Sequence, residues 1–158
     1  MKRDLTEDQL RQEVTVALPL SVVLRISDVP RTAPAAAAAA LDLPAIGADY
    51  EGGKFAGITL DGDQLSALVL LPGDFTGTWA EAKDWADKEG GVLPSRHDGI
   101  VLFKNLKGEF QGAWYWLGEQ LAAVSGFAWF QGFGGGSQGW DAVSCRFRAR
   151  AVRRIPIR

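Results

Sequence analysis

Thr78-Trp79-Ala80-Glu81-Ala82-Lys83-Asp84-Trp85-Ala86, closed by Gly90-Gly91, is the stretch that decides the fold. Thr78 and Glu81 have capping-box spacing, in which a hydroxyl accepts from an amide of the first turn while the carboxylate reaches back to the cap amide. Trp79, Ala82, Trp85 and Ala86 recur at helical steps and share one face, and the glycine pair supplies a C-terminal stop. Ser95-Arg96-His97-Asp98 repeats the start signal, followed by Ile100, Phe103 and Leu106 at helical spacing until Gly108. Two consecutive helices are therefore predicted.

Working outward, the upstream side is a hairpin. Phe55 to Leu60 and Leu65 to Leu71 are apolar runs of strand length separated by Asp61-Gly62-Asp63, and Pro72-Gly73-Asp74 ends the second run. Downstream the chain turns aromatic and glycine-rich. Trp114 to Leu117 and Phe127 to Phe133 read as strands, Gly134 to Gly139 as a long turn, and Trp140 to Ile155 as a final strand or strand pair. The order β-β-α-α-β-β-β predicts an α+β domain with two helices beside an antiparallel sheet.

Farther upstream the character changes. Residues 4–12 suggest a short helix, and from Val14 to Ile26 apolar residues occupy alternate positions, the period of a strand. Pro19 cannot donate to a ladder, so this strand is expected at an edge. Prolines 30, 34 and 44 bracket the alanine run 35–40, which marks a boundary. The expected organisation is an N-terminal β-strand arm, residues 1–48, serving attachment and assembly, and a domain, residues 49–158. One strand with no core of its own predicts burial against another chain and hence self-association.

Composition narrows the function classes. With 47% hydrophobic and 23% charged residues the chain is an ordinary globular protein, and no apolar run is long enough for membrane insertion by a helix. The polar opening does not read as a secretory signal, so synthesis in a cytoplasm is expected. A single cysteine, Cys145, excludes an intrachain disulfide and a cysteine-based zinc site. The net charge of −2 hides an asymmetry: residues 1–141 hold 11 basic and 19 acidic side chains, a net −8, whereas the remainder holds 6 arginines. Without a basic helix or nucleic-acid motif, no nucleic acid partner is expected, and pairing of the arginines with the acidic helices is the simpler reading.

Four segments then carry a resemblance. Thr78 to Ala82, Gly90-Gly91-Val92-Leu93-Pro94-Ser95-Arg96, Trp114-Tyr115-Trp116 with Glu119-Gln120, and Arg148 to Arg154 occur in an order that resembles a branch of the C-type-lectin-like family. That branch is found in bacteriophage tail proteins and in variable proteins of diversity-generating retroelements, and the resemblance spans roughly residues 50 to 155. It implies the C-type-lectin-like fold, a twisted antiparallel sheet flanked by two helices, with a ligand face on late strands and loops. It also implies a tail-fibre or baseplate-tip protein in the virion, made in the host cytoplasm. Such a protein forms a homo-oligomer, as trimers, meets other tail or baseplate proteins through the N-terminal arm, and binds a host surface glycan or protein. Two further roles fit the same branch: a structural tail component using the fold as a spacer, and a retroelement-diversified ligand-binding protein. Leu117-Gly118 departs from the usual small polar pair, and the Glu-Pro-Asn and Trp-Asn-Asp calcium motifs are absent. No metal and no cofactor are expected.

His97 is the sole histidine, and no partner nucleophile accompanies it, so catalytic residues are not assigned and an enzyme is not expected. Trp79, Trp85, Trp114 and Trp116 fall at helix and strand spacing and are expected in the core. The ligand-binding candidates are Trp129, Gln131, Phe133, Gln138, Trp140 and Asp141, because glycine-rich loops give little cover and leave aromatic and polar groups free to meet a partner.

Overall fold

The computed structural model describes residues 42–158. The expected helix at 4–12, the alternating strand and the alanine run fall outside them. Leu41–Arg158 forms one compact unit. Its hydrogen bonding begins ahead of the expected boundary at residue 49: the Gly47 amide donates to the Phe55 carbonyl, and the Phe55 amide to Ala48.

The described residues are α+β, with nine strands in two sheets. One sheet runs β1 (Asp49–Tyr50), β2 (Gly53–Asp61), β3 (Gln64–Leu70) and β9 (Val152–Pro156) in that spatial order. The other runs β4 (Phe75–Gly77), β8 (Phe147–Ala149), β5 (Trp114–Gln120), β6 (Phe127–Gly132) and β7 (Gln138–Ala142). Helices α1 (Trp79–Lys88) and α2 (Arg96–Leu106) stand between β4 and β5 in the chain.

Local signals set these elements. Asp61 pairs with Gln64 across the two-residue loop Gly62-Asp63, and Gly62 takes φ +61°, a positive angle at the first loop position that suits glycine. Both capping boxes form, with Thr78 and Ser95 as the caps.

Two sheets replace the single sheet expected, and the reason lies in β3. Leu68 and Leu70 join a cluster with Leu102, Leu106, Tyr115, Phe133 and Val152, whereas Val69 and Leu71 join one with Ala82, Ala86, Leu93, Trp116 and Ala149. Neighbouring residues of a strand point to opposite faces, so Leu68-Val69-Leu70-Leu71 is buried on both sides and reads as a continuous apolar run. Helix α1 covers one face and α2 the other, instead of sharing a side. Each fully buried leucine here contributes about 1.5–3 kcal/mol of transfer free energy.

The arginine-rich segment distributes itself as its alternation predicts. Arg146 pairs with Glu81 of α1, Arg148 with Asp74 and Arg154 with Asp98 of α2, while Arg150 and Arg153 donate to backbone carbonyls. Ala149, Ala151 and Val152 are buried between them.

Candidate ligand-binding face

The site is built on the N-terminus of α2. Asp98, the third residue of the helix, is fully buried and accepts from the Ser95 amide at 2.9 Å, the Thr59 hydroxyl at 2.6 Å and the Arg154 guanidinium. These bonds tie the first turn to β2 and β9. Gly99 lets the helix approach the second sheet closely, because a Cβ there would come within 3.0 Å of the Gln131 side chain and 3.1 Å of Leu117.

The surface it approaches follows from register. Phe127 pairs with Ala142, Trp129 with Trp140 and Gln131 with Gln138, so these six side chains share one face of β6 and β7. Trp129 and Trp140 meet edge to face at 5.2 Å between ring centroids. The Arg96 guanidinium lies over the Trp129 ring at 3.7 Å. Gln138 holds Arg96 twice, accepting from its Nε at 3.2 Å and donating to its carbonyl at 2.6 Å. The Arg96 amide donates to Glu119 at 2.9 Å. Behind them Gln131, fully buried, accepts from Gln138 at 3.0 Å. The product is a cation laid on one face of an aromatic pair, with Trp140 at its open end, 53% exposed.

Four of the six sequence candidates, Trp129, Gln131, Gln138 and Trp140, therefore come together. Of these, Gln131 is an internal support and contributes no surface. Phe133 stands apart and corrects the expectation of an open glycine segment: it is 3% exposed, stacked on Phe110 at 3.8 Å and flanked by Tyr115 and Phe103. Asp141 falls between Trp140 and Ala142 and so points to the other face. There its carboxylate accepts from the Ala142 amide at 2.7 Å and from the Cys145 thiol at 3.6 Å. Burial, and then the Asp141 charge, push the Cys145 thiol above its ordinary pKa, which favours the protonated, poorly nucleophilic form. Arg96 and Glu119 lie in the motif segments quoted above but were not among the ligand-binding candidates, because nothing local to either points to the other or to Trp129.

No protein-family profile matches the chain, and no curated protein is significantly similar to it.

Two neighbouring surfaces complete the description. A cleft of about 460 Å³ lies beside the face, lined by Lys83, Asp84 and Asp87 of α1, Gly91 to Leu93, Ser95, Gly118, Glu119 and Arg154. On the reverse side of β5 and β6, Trp114 is 52% exposed instead of lying in the core, stacked on Phe130 at 4.9 Å and edge-on to Phe147 at 5.3 Å. It is the first residue of its strand, and although Phe147 touches both Trp114 and Trp116, only Trp116 is fully buried. Trp116 is fully buried, its indole N–H donating to Gly77, whereas Trp79 and Trp85 are half-buried under α1. His97 is exposed. Among the described residues no three His, Cys, Asp or Glu side chains cluster as a metal site, and no helix is long and apolar enough to cross a membrane.

Proposed function

We propose that this chain is a phage tail-fibre or baseplate-tip protein that binds the bacterial host surface through the Arg96–Trp129–Trp140 face, by recognition and without catalysis. The observation that carries the reading is the exposed Trp140 ring set against a support that is already fixed. Trp129, Arg96 and Gln138 are held by one another, so a ligand meeting them orders little new structure, and a half-exposed tryptophan beside an arginine is the composition of an interface anchor.

The tail-protein part rests on the motif resemblance over residues 50 to 155, supported by a hairpin, two box-capped helices and late aromatic strands in the matching order. On that reading the domain has the C-type-lectin-like fold, residues 1–48 form the attachment arm, and the protein works as a homotrimer in the virion without metal or cofactor. One observation favours the spacer role instead: Gln131 and Phe133 are buried, which withdraws part of the candidate set from the surface.

Labelled protein applied to a panel of bacterial strains separates the two. On a strain that binds the parent, Trp140→Ala should weaken attachment by about 30-fold, the roughly 2 kcal/mol of an interface hot spot, with little change in melting temperature. Trp116→Ala, which removes a fully buried ring, should cost about 3–5 kcal/mol of stability. Attachment unchanged in Trp140→Ala, or a fold damaged as badly as in Trp116→Ala, would favour the spacer.

A further inference from the structure

The geometry points to a carboxylate-bearing saccharide as the ligand of this face, with the carboxylate on the outer edge of Arg96 and the apolar face of the sugar ring on Trp140. The inference rests on the reading above that the face binds at all.

It begins with an arginine whose charge has no partner. Among the described residues the ion pairs join Lys54 to Glu109, Arg146 to Glu81, Arg148 to Asp74 and Arg154 to Asp98, and none involves Arg96. Glu119 accepts from the Arg96 backbone amide and lies beyond ion-pair distance of its guanidinium. One flat side of that guanidinium is against Trp129 and its Nε is taken by Gln138. What remains are the two terminal nitrogens, which have no hydrogen-bond acceptor among the described residues, while the side chain itself is exposed. A guanidinium edge presents parallel donors whose spacing matches the two oxygens of a carboxylate. Its stem and plane are already held, so little side-chain entropy remains to be lost on binding.

The second requirement comes from Trp140. Its exposed ring adjoins Trp129, and its π face is electronegative while the C–H face of a pyranose is apolar and weakly electropositive. A ligand that satisfies both needs an acid group and a ring carrying axial C–H bonds, which describes an acidic sugar such as a uronate or sialate. A neutral sugar would leave the guanidinium unused.

The test titrates the full chain with oligogalacturonate, hyaluronan oligomers and oligosialate, each beside its carboxyl methyl ester, following tryptophan fluorescence and binding heat. At least one acid form should bind saturably and its ester more weakly by about 10- to 100-fold, the range of a charge-assisted hydrogen bond. Arg96→Lys, which keeps the charge and loses the fork, should weaken the acid form and leave the ester unchanged. Equal binding of acid and ester, undiminished acid binding by Arg96→Lys, or no binding of any acid form by folded protein would each overturn the inference. The binding reading is judged apart from it, by whether Trp140→Ala still loses attachment to cells.

Discussion

The two helices start with the same capping pattern, a hydroxyl residue followed three positions later by a carboxylate, in Thr78-Trp79-Ala80-Glu81 and Ser95-Arg96-His97-Asp98, and both capping boxes form, yet the carboxylate of one is exposed and that of the other is fully buried. Glu81 is solvated, accepts from the Thr78 amide at 2.8 Å and pairs with an exposed Arg146. Asp98 is buried, and besides Ser95 it engages Thr59 and Arg154 from two strands of the other sheet. A capping motif fixes where a helix begins, but the depth at which its carboxylate sits decides whether the motif is a local device or a joint between distant elements. Here the buried version also aims Arg96 at the candidate face.

The comparison breaks most sharply at Asp98. Asp98→Ala leaves Arg154 and the Thr59 hydroxyl without their acceptor and should cost about 3–5 kcal/mol in chemical denaturation, as removal of one partner of a buried pair does. Asp98→Leu combined with Arg154→Met should recover most of the loss, since replacing both partners removes the uncompensated charge. A double variant no more stable than Asp98→Ala would show that the hydroxyl and cap bonds, not the ion pair, carry the cost.

A smaller effect compares the cap hydroxyls. Thr78→Ala and Ser95→Ala each remove one cap acceptor and should each lower stability by about 1 kcal/mol. The contrast is in binding: Ser95→Ala should also weaken attachment through the Arg96 face, whereas Thr78→Ala should not. Equal losses of attachment would show that the first turn of α2 is held without its cap.

The smallest effect is one of pH. Hydrogen bonding from the Thr78 amide, with help from Arg146, holds the Glu81 carboxyl below its usual range despite opposing desolvation. A lowered folded-state pKa means that this stabilisation is present above the ordinary carboxylate pKa and disappears as pH falls through the folded one. Melting temperatures of the parent and of Glu81→Gln should therefore differ near neutral pH and converge in acid, with the gap shrinking in high salt. A gap independent of pH would remove the charge from the explanation.

What could be read in the sequence follows the range of the interaction. The hairpin turn at Gly62, both helix starts and the aromatic strands were legible because their signals lie within a few residues. Phe133 was misplaced because its cover, Phe103, Phe110 and Tyr115, comes from α2, the turn after it and β5. Asp141 was grouped with Trp140 by proximity, although a strand turns neighbours to opposite faces. Arg96 was read only as part of a helix start, since only the docking of α2 against β6 brings it to Trp129. The continuous apolar run of β3 did hold the clue to a sheet covered on both sides.

The segment Phe147–Pro156 has a consequence in time. It supplies β8, which separates β4 from β5, and β9, which borders β3; between them Ala151 bonds Leu71 while Val152 and Val92 exchange amide and carbonyl. Neither sheet is complete until these residues have been synthesised, and their partners precede them by up to some ninety positions, as in the pairing of Ser66 with Pro156. Closing loops of that length before any contact rewards it makes for slow folding. On a ribosome the hairpin and helices must therefore wait, with Val69, Leu71 and Trp116 uncovered, for a strand that arrives late, and a chain stalled before Phe147 would expose both halves of its core to aggregation.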